Sequence, residues 1–118
     1  MVFKEILPLL IFGATAAATA TVTLAAPILY EEHVARTEEG LILSSAIAGI
    51  ENSRWFDYRS NIGEARKELV SDLRHASDLE DYRDAWEEYA HELKHERVDY
   101  IEDMAEMGYR QGTVRIVR

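Results

Sequence analysis

From Ile6 to Tyr30 the chain carries no charged residue, whereas every carboxylate except that of Glu5 lies beyond this stretch. A helix rises about 1.5 Å per residue, so roughly 20 apolar residues cross a hydrocarbon layer about 30 Å thick. The stretch is long enough to do so, and the chain reads as all-α. The expected organisation is a single transmembrane helix in residues 1–30 and a juxtamembrane helical or interfacial segment in 31–60. An amphipathic helical hairpin in 61–108 and a short extended basic tail in 109–118 complete it. Lys4 and the amino terminus precede the stretch and Arg36 is the first cation after it. Counting positive charges then places the N-terminus on the cytoplasmic side. A cleaved secretory signal is the competing reading, with Lys4 as its basic start, Leu7 to Phe12 as its apolar run and Leu24-Ala25-Ala26 as its small-residue site.

The stretch is poor in bulky side chains. Gly13, Ala17, Thr21 and Ala25 recur at every fourth position, the spacing that lets a second helix backbone approach closely, so this face is expected to pack on protein. Pro8 falls in a first turn, where the missing amide costs little, and Pro27 should kink the far end.

With 13 Lys+Arg against 22 Asp+Glu the net charge is -9, which argues against a nucleic-acid binder, since that needs a basic face to displace counterions from phosphates. There is no cysteine, hence no thiolate nucleophile, disulfide or thiolate metal site. A chain of 118 residues with one segment given to a bilayer can bury only a small core, so protein partners are expected and no cofactor is.

Gly40 to Ile50 is a second apolar run, too short to span, followed by Trp55, Phe56 and Tyr58. It reads as a continuation of the first helix buried on a partner, with a segment lying in the membrane interface as the alternative. Asn61 with Glu64, and Ser77 with Glu80, have the spacing of helix N-caps with a carboxylate three residues on. The first would open a helix with Ile62, Ala65, Leu69, Val70 and Leu73 on one face. The second would open a longer one whose stripe is Leu79, Tyr82, Trp86, Tyr89, Leu93, Tyr100, Met104 and Met107, interrupted only by Arg97. The short helix covers about half of that stripe, so these eight residues are expected to bind a partner. Gly108 stops the helix, and Arg110, Arg115 and Arg118 make the tail a basic segment suited to docking on an acidic surface or a sheet edge.

One string has a catalytic look. In His91-Glu92-Leu93-Lys94-His95 two imidazoles stand one turn apart with a carboxylate between them, and in this the segment resembles the active-site helix of zincin metallopeptidases. The resemblance implies that His91 and His95 would share a zinc ion, with Glu92 as the base for a metal-bound water. The pattern departs from that family after the string: Val98 stands three residues past His95 where a metzincin continuation has Gly, no third His follows, and no acidic side chain follows Glu106. At 100° per residue His91 and His95 also fall opposite the Trp86 stripe, among Asp84, Glu88, Asp99 and Glu102. They read as surface residues, as do the isolated His33 and His75. Glu88-x-x-His91 and Glu92-x-x-His95 share the spacing of di-iron bundles, but their ligands would face outward.

Pro27 to Arg36 followed by Gly40 to Ala46 resembles the outer half of the N-terminal helix of type IV pilins, which would imply a filament subunit. No glycine cleavage site precedes the apolar run, and Glu5 and Pro27 lack the pilin spacing. The expectation that best joins these features is a non-enzymatic, single-pass membrane subunit with a structural role in a larger assembly. That assembly would be a membrane complex with accessory subunits or the internal membrane of a virion. A membrane-anchored zinc peptidase and a pilin-like subunit are the alternatives.

Overall fold

The structure is a computed structural model that describes residues 28–110. The expected span, its small-residue face (Gly13, Ala17, Thr21, Ala25), the Pro27 kink and the tail arginines Arg115 and Arg118 lie outside the described residues. Among the described residues no helix is long and apolar enough to cross a membrane.

Three α-helices make up the described chain: α1 (Tyr30–Glu39), α2 (Ser53–His75) and α3 (Leu79–Glu106). No strand occurs among the described residues. Helix α3 is the centre of the arrangement. It packs on α1 along one side and on α2 along the other. Glu31 meets Arg83 and Glu38 meets Arg97, so α1 runs parallel to α3. Arg54 meets Asp103 and Asn61 meets Glu96, so α2 runs antiparallel to it.

The run Gly40–Ile50 is not helical as expected. Helix α1 closes with i→i+3 bonds from Gly40, Leu41 and Ile42 to Thr37, Glu38 and Glu39, and the chain then crosses to α2 as a loop with one 3-10 turn at Ile47–Gly49. Ala48 and Gly49 take φ of 56° and 73°, left-handed values that interrupt any helix through this run. Two tyrosine hydroxyls tie the loop down. Leu43 N–H donates to Tyr58 Oη at 2.9 Å, and Ile47 N–H donates to Tyr100 Oη at 3.0 Å. Leaving such amides unpaired away from water would cost about 1–3 kcal/mol each.

Helix α2 also begins nine residues before the expected start, with its cap at Asn52 and not at Asn61. Asn52 accepts the Trp55 N–H at 3.1 Å and is the actual cap, while Asn61 sits mid-helix and donates to Glu96 at 2.8 Å. Trp55 and Tyr58 extend the Ile62–Ala65–Leu69 stripe backwards, so the buried face and not the Asn–Glu pattern locates the helix start. At α3 the cap is Asp78, one residue after the expected Ser77. Its carboxylate accepts Asp81 N–H, and Asp81 in turn accepts both the N–H and the hydroxyl of Ser77.

The core combines Ala35 of α1, Ala46 and Ile47 of the loop, the α2 stripe, and Ala85, Trp86, Tyr89, Ala90, Leu93, Tyr100 and Met104 of α3. Trp55, Tyr58 and Tyr100 form an aromatic cluster with centroids 4.9 to 5.9 Å apart, the Tyr58–Tyr100 pair being stacked. Leu93 is 1% exposed at the middle of α3, the helix that packs on both others. Leu93→Ala should cost about 2–5 kcal/mol in urea unfolding. Tyr100→Phe keeps the ring but removes the acceptor for Ile47, and should cost about 1–3 kcal/mol while accelerating amide exchange in the loop.

Candidate functional site

The eight-residue stripe expected to bind a partner divides into two groups. Trp86, Tyr89, Leu93, Tyr100 and Met104 are buried in the chain's own core: α1 contacts Trp86 and Tyr89, while α2, its Asn52 cap and the loop reach Tyr100 and Met104. At the Trp86 and Tyr89 end the correction arises from α1, which is too polar to announce itself as a packing helix. Leu79, Tyr82 and Met107 remain 61%, 41% and 46% exposed at the two ends of α3 and are the part of the stripe still available to a partner.

Helix α1 buries only one residue fully, Ala35, with Leu29 and Val34 half-buried beside it. Polar contacts supply the rest of its attachment. Arg83 holds Glu31 at 3.1 Å, Arg97 holds Glu38 at 2.7 Å, and the Tyr89 hydroxyl donates to Glu39 at 2.6 Å. Arg36 pairs with Glu32 and Glu39 and lays its guanidinium 4.7 Å from the Trp86 ring centroid. The Arg97–Glu38 pair is shielded, with side chains 19% and 16% exposed, which explains why a charged residue interrupts the α3 stripe. Apart from the i,i+4 and i,i+3 pairs of Arg36 within α1, none of these partners is separated in sequence by a recognisable motif spacing. Only Arg97, a cation among apolar positions, signals that a carboxylate must meet it.

The electrostatics follow from these contacts. Arg83 holds the Glu31 carboxyl below its ordinary range. Burial pushes Glu39 up, but the Tyr89 hydroxyl and Arg36 outweigh it and the net direction is down. The Ser77 amide and hydroxyl lower Asp81. Burial, reinforced by the Glu39 carboxylate, pushes the Tyr89 phenol up to about 12. Burial also raises Tyr58.

The outer face of α3 carries the zincin-like string. His91 and His95 are exposed, their rings 6.3 Å apart and nearly parallel, and His95 Nε2 lies 3.2 Å from an Asp99 carboxylate oxygen. Glu92 is half-buried on the α2 side. Among the described residues no three His, Cys, Asp or Glu side chains converge to hold a metal ion. Arg110, the described member of the basic tail, is exposed just past α3. No protein-family model matches the chain, and no curated protein or solved structure is significantly similar to it.

Glu31, Glu39 and Asp81 have depressed folded-state values, so their stabilising contributions are present above the ordinary carboxyl range and vanish as pH falls through the folded values. Acidification from pH 6 toward pH 3 should therefore release α1, read as faster amide exchange in Tyr30–Glu39 and a change in Trp86 fluorescence. At the other extreme Tyr89 is raised, so its contribution is complete below about pH 10 and is lost as pH climbs toward 12. A 295 nm titration of a Tyr89→Phe variant should lack the last-titrating phenol. His91→Ala and His95→Ala, at exposed positions, should each change stability by no more than about 0.5 kcal/mol.

Proposed function

We propose that the chain is a non-enzymatic, single-pass membrane subunit in which the three-helix unit is an interaction module held at the membrane by the N-terminal stretch. The observation that carries this reading is continuity: the uncharged stretch Ile6–Tyr30 ends at the first residue of α1. Helix α1 in turn is tied to α3 by Glu31, Glu38 and Glu39. On this reading the segment that follows the anchor, α1, is itself fastened to α3 by charged contacts. The exposed Ile28 and Tyr30 at the start of α1, and Leu79 and Tyr82 at the start of the parallel α3, lie at the same end of the unit and suit a membrane interface. The partners on this reading are the bilayer and neighbouring subunits of a membrane complex or virion membrane.

Ala17→Leu with Thr21→Leu lengthens the side chains on the face suited to close helix packing. The double variant should stay in the carbonate-resistant membrane fraction but lose co-purifying chains after gentle detergent release. Release of the unaltered protein by carbonate would remove the anchor from this reading, and unchanged co-purification of the variant would remove the packed span. A native mass spectrum of the same preparation addresses the peptidase alternative, since a lone chain carrying one zinc ion would favour it.

A further inference from the structure

Helix α2 separates its charges in an unusual way for so acidic a chain. At 100° per residue, Arg59, Arg66, Lys67 and Arg74 share an arc of about 100° with Phe56, Gly63 and Val70. No Asp or Glu falls on that arc. The carboxylates of α2, Asp57, Glu64, Glu68 and Asp72, all lie on the opposite flank, which adjoins the acidic outer face of α3. Phe56 and Val70 are 52% and 53% exposed, so two apolar side chains stand in water between the cations. The strip runs from Phe56 to Arg74, about 27 Å at the helical rise.

Its centre is hollow. A cleft opens between α2 and the loop, floored by Ile42, Leu43, Trp55 and Ile62 and bordered by Arg59 and Arg66. Arg59 lies 5.8 Å from the Trp55 ring, and no ion pair holds it to a carboxylate among the described residues. Arg66 leans the other way, toward Tyr89 and Glu39. Lys67 has only Glu64, 3.6 Å away and well exposed. Gly63 sits between the two arginines in the helix interior, where glycine is a poor choice, yet a Cβ there would meet nothing within 4 Å. Packing within the chain gives no reason for this glycine. Its effect is to lay the α2 backbone open at the middle of a cationic strip.

We propose that this strip docks an acidic amphipathic helix of a partner protein, which crosses α2 at Gly63 and places an apolar side chain in the cleft beside Trp55. The cations match carboxylates along the partner, Phe56 and Val70 meet its apolar face, and Gly63 allows close backbone approach. A helix fits these features better than an anionic bilayer. The bilayer presents no backbone to approach Gly63 and would repel the carboxylates on the remaining surface. The assignment does not depend on the anchor, since every group it uses lies in α2 and the loop.

The test uses the full chain in a neutral detergent. The probe is a leucine–glutamate helical peptide of about 18 residues, matched to the strip length, beside its leucine–lysine counterpart. The glutamate peptide should shift the Gly63 amide and the Trp55 indole resonances, with affinity falling as salt rises. Gly63→Leu and the pair Arg59→Glu with Arg74→Glu should each weaken it roughly tenfold at unchanged helix content. The proposal is overturned if the lysine peptide binds the strip as well, or if the glutamate peptide binds elsewhere. It is equally overturned if both variants bind normally, or if phosphatidylglycerol vesicles shift these resonances while the glutamate peptide does not.

Discussion

The apolar face of α3 is broader than one neighbouring helix can cover. Ala85 and Trp86, Tyr89 and Ala90, Tyr100 and Met104 spread it to either side of Leu93, and each side needs its own lid. Helix α2 provides one with an ordinary apolar stripe. Helix α1 provides the other with ten residues, one alanine fully buried and a set of carboxylates directed at Arg83, Arg97 and Tyr89. Since a short polar helix has little hydrophobic reason to stay, its placement rests on charge-assisted bonds, the kind of contact that acid and salt weaken.

The loop between α1 and α2 is the second dependency. Parallel α1 leaves the chain partway up α3, and the loop must continue to the far end before α2 can return. A connection of that kind has backbone amides with no helix to satisfy them. Tyr58 and Tyr100 solve this from within the core, each stacking its ring on the other and offering its hydroxyl to a loop amide. One aromatic cluster thus closes the α2–α3 interface and anchors the crossing.

Charge distribution links fold to function. Arg83 and Arg97 of α3 pair with α1, the outward side of α3 is left strongly acidic, and Arg59, Arg66, Lys67 and Arg74 of α2 collect on one arc. A small chain with net charge -9 therefore presents two surfaces of opposite sign, suited to different neighbours. The exposed residues at the start of α1 and α3 add a third, apolar end. Three such faces on one small unit agree with a role in joining other molecules, the reading proposed above.

By itself the sequence determined the all-α class of the described residues and one long amphipathic helix running to Gly108, paired with a shorter helix before it, because three-and-four spacing of Leu, Trp and Tyr has only one regular interpretation. It also showed that His91 and His95 lie on the polar side of α3, a matter of angle alone. Other features only the tertiary structure decided. Asn61 with Glu64 has the form of a cap, yet buried Trp55 and Tyr58 moved the helix start to Asn52. Gly40–Ile50 is apolar enough for a helix, yet two distant tyrosines and a left-handed Ala48–Gly49 pair made it a loop. The stripe from Trp86 to Met104 looked like a surface for partners, yet α1 covers it at Trp86 and Tyr89 and α2 with the loop covers it at Tyr100 and Met104. The physical reason is the same in each case: local pattern reports which side of an element is apolar, whereas the neighbour that buries it is chosen by contacts fifty residues away.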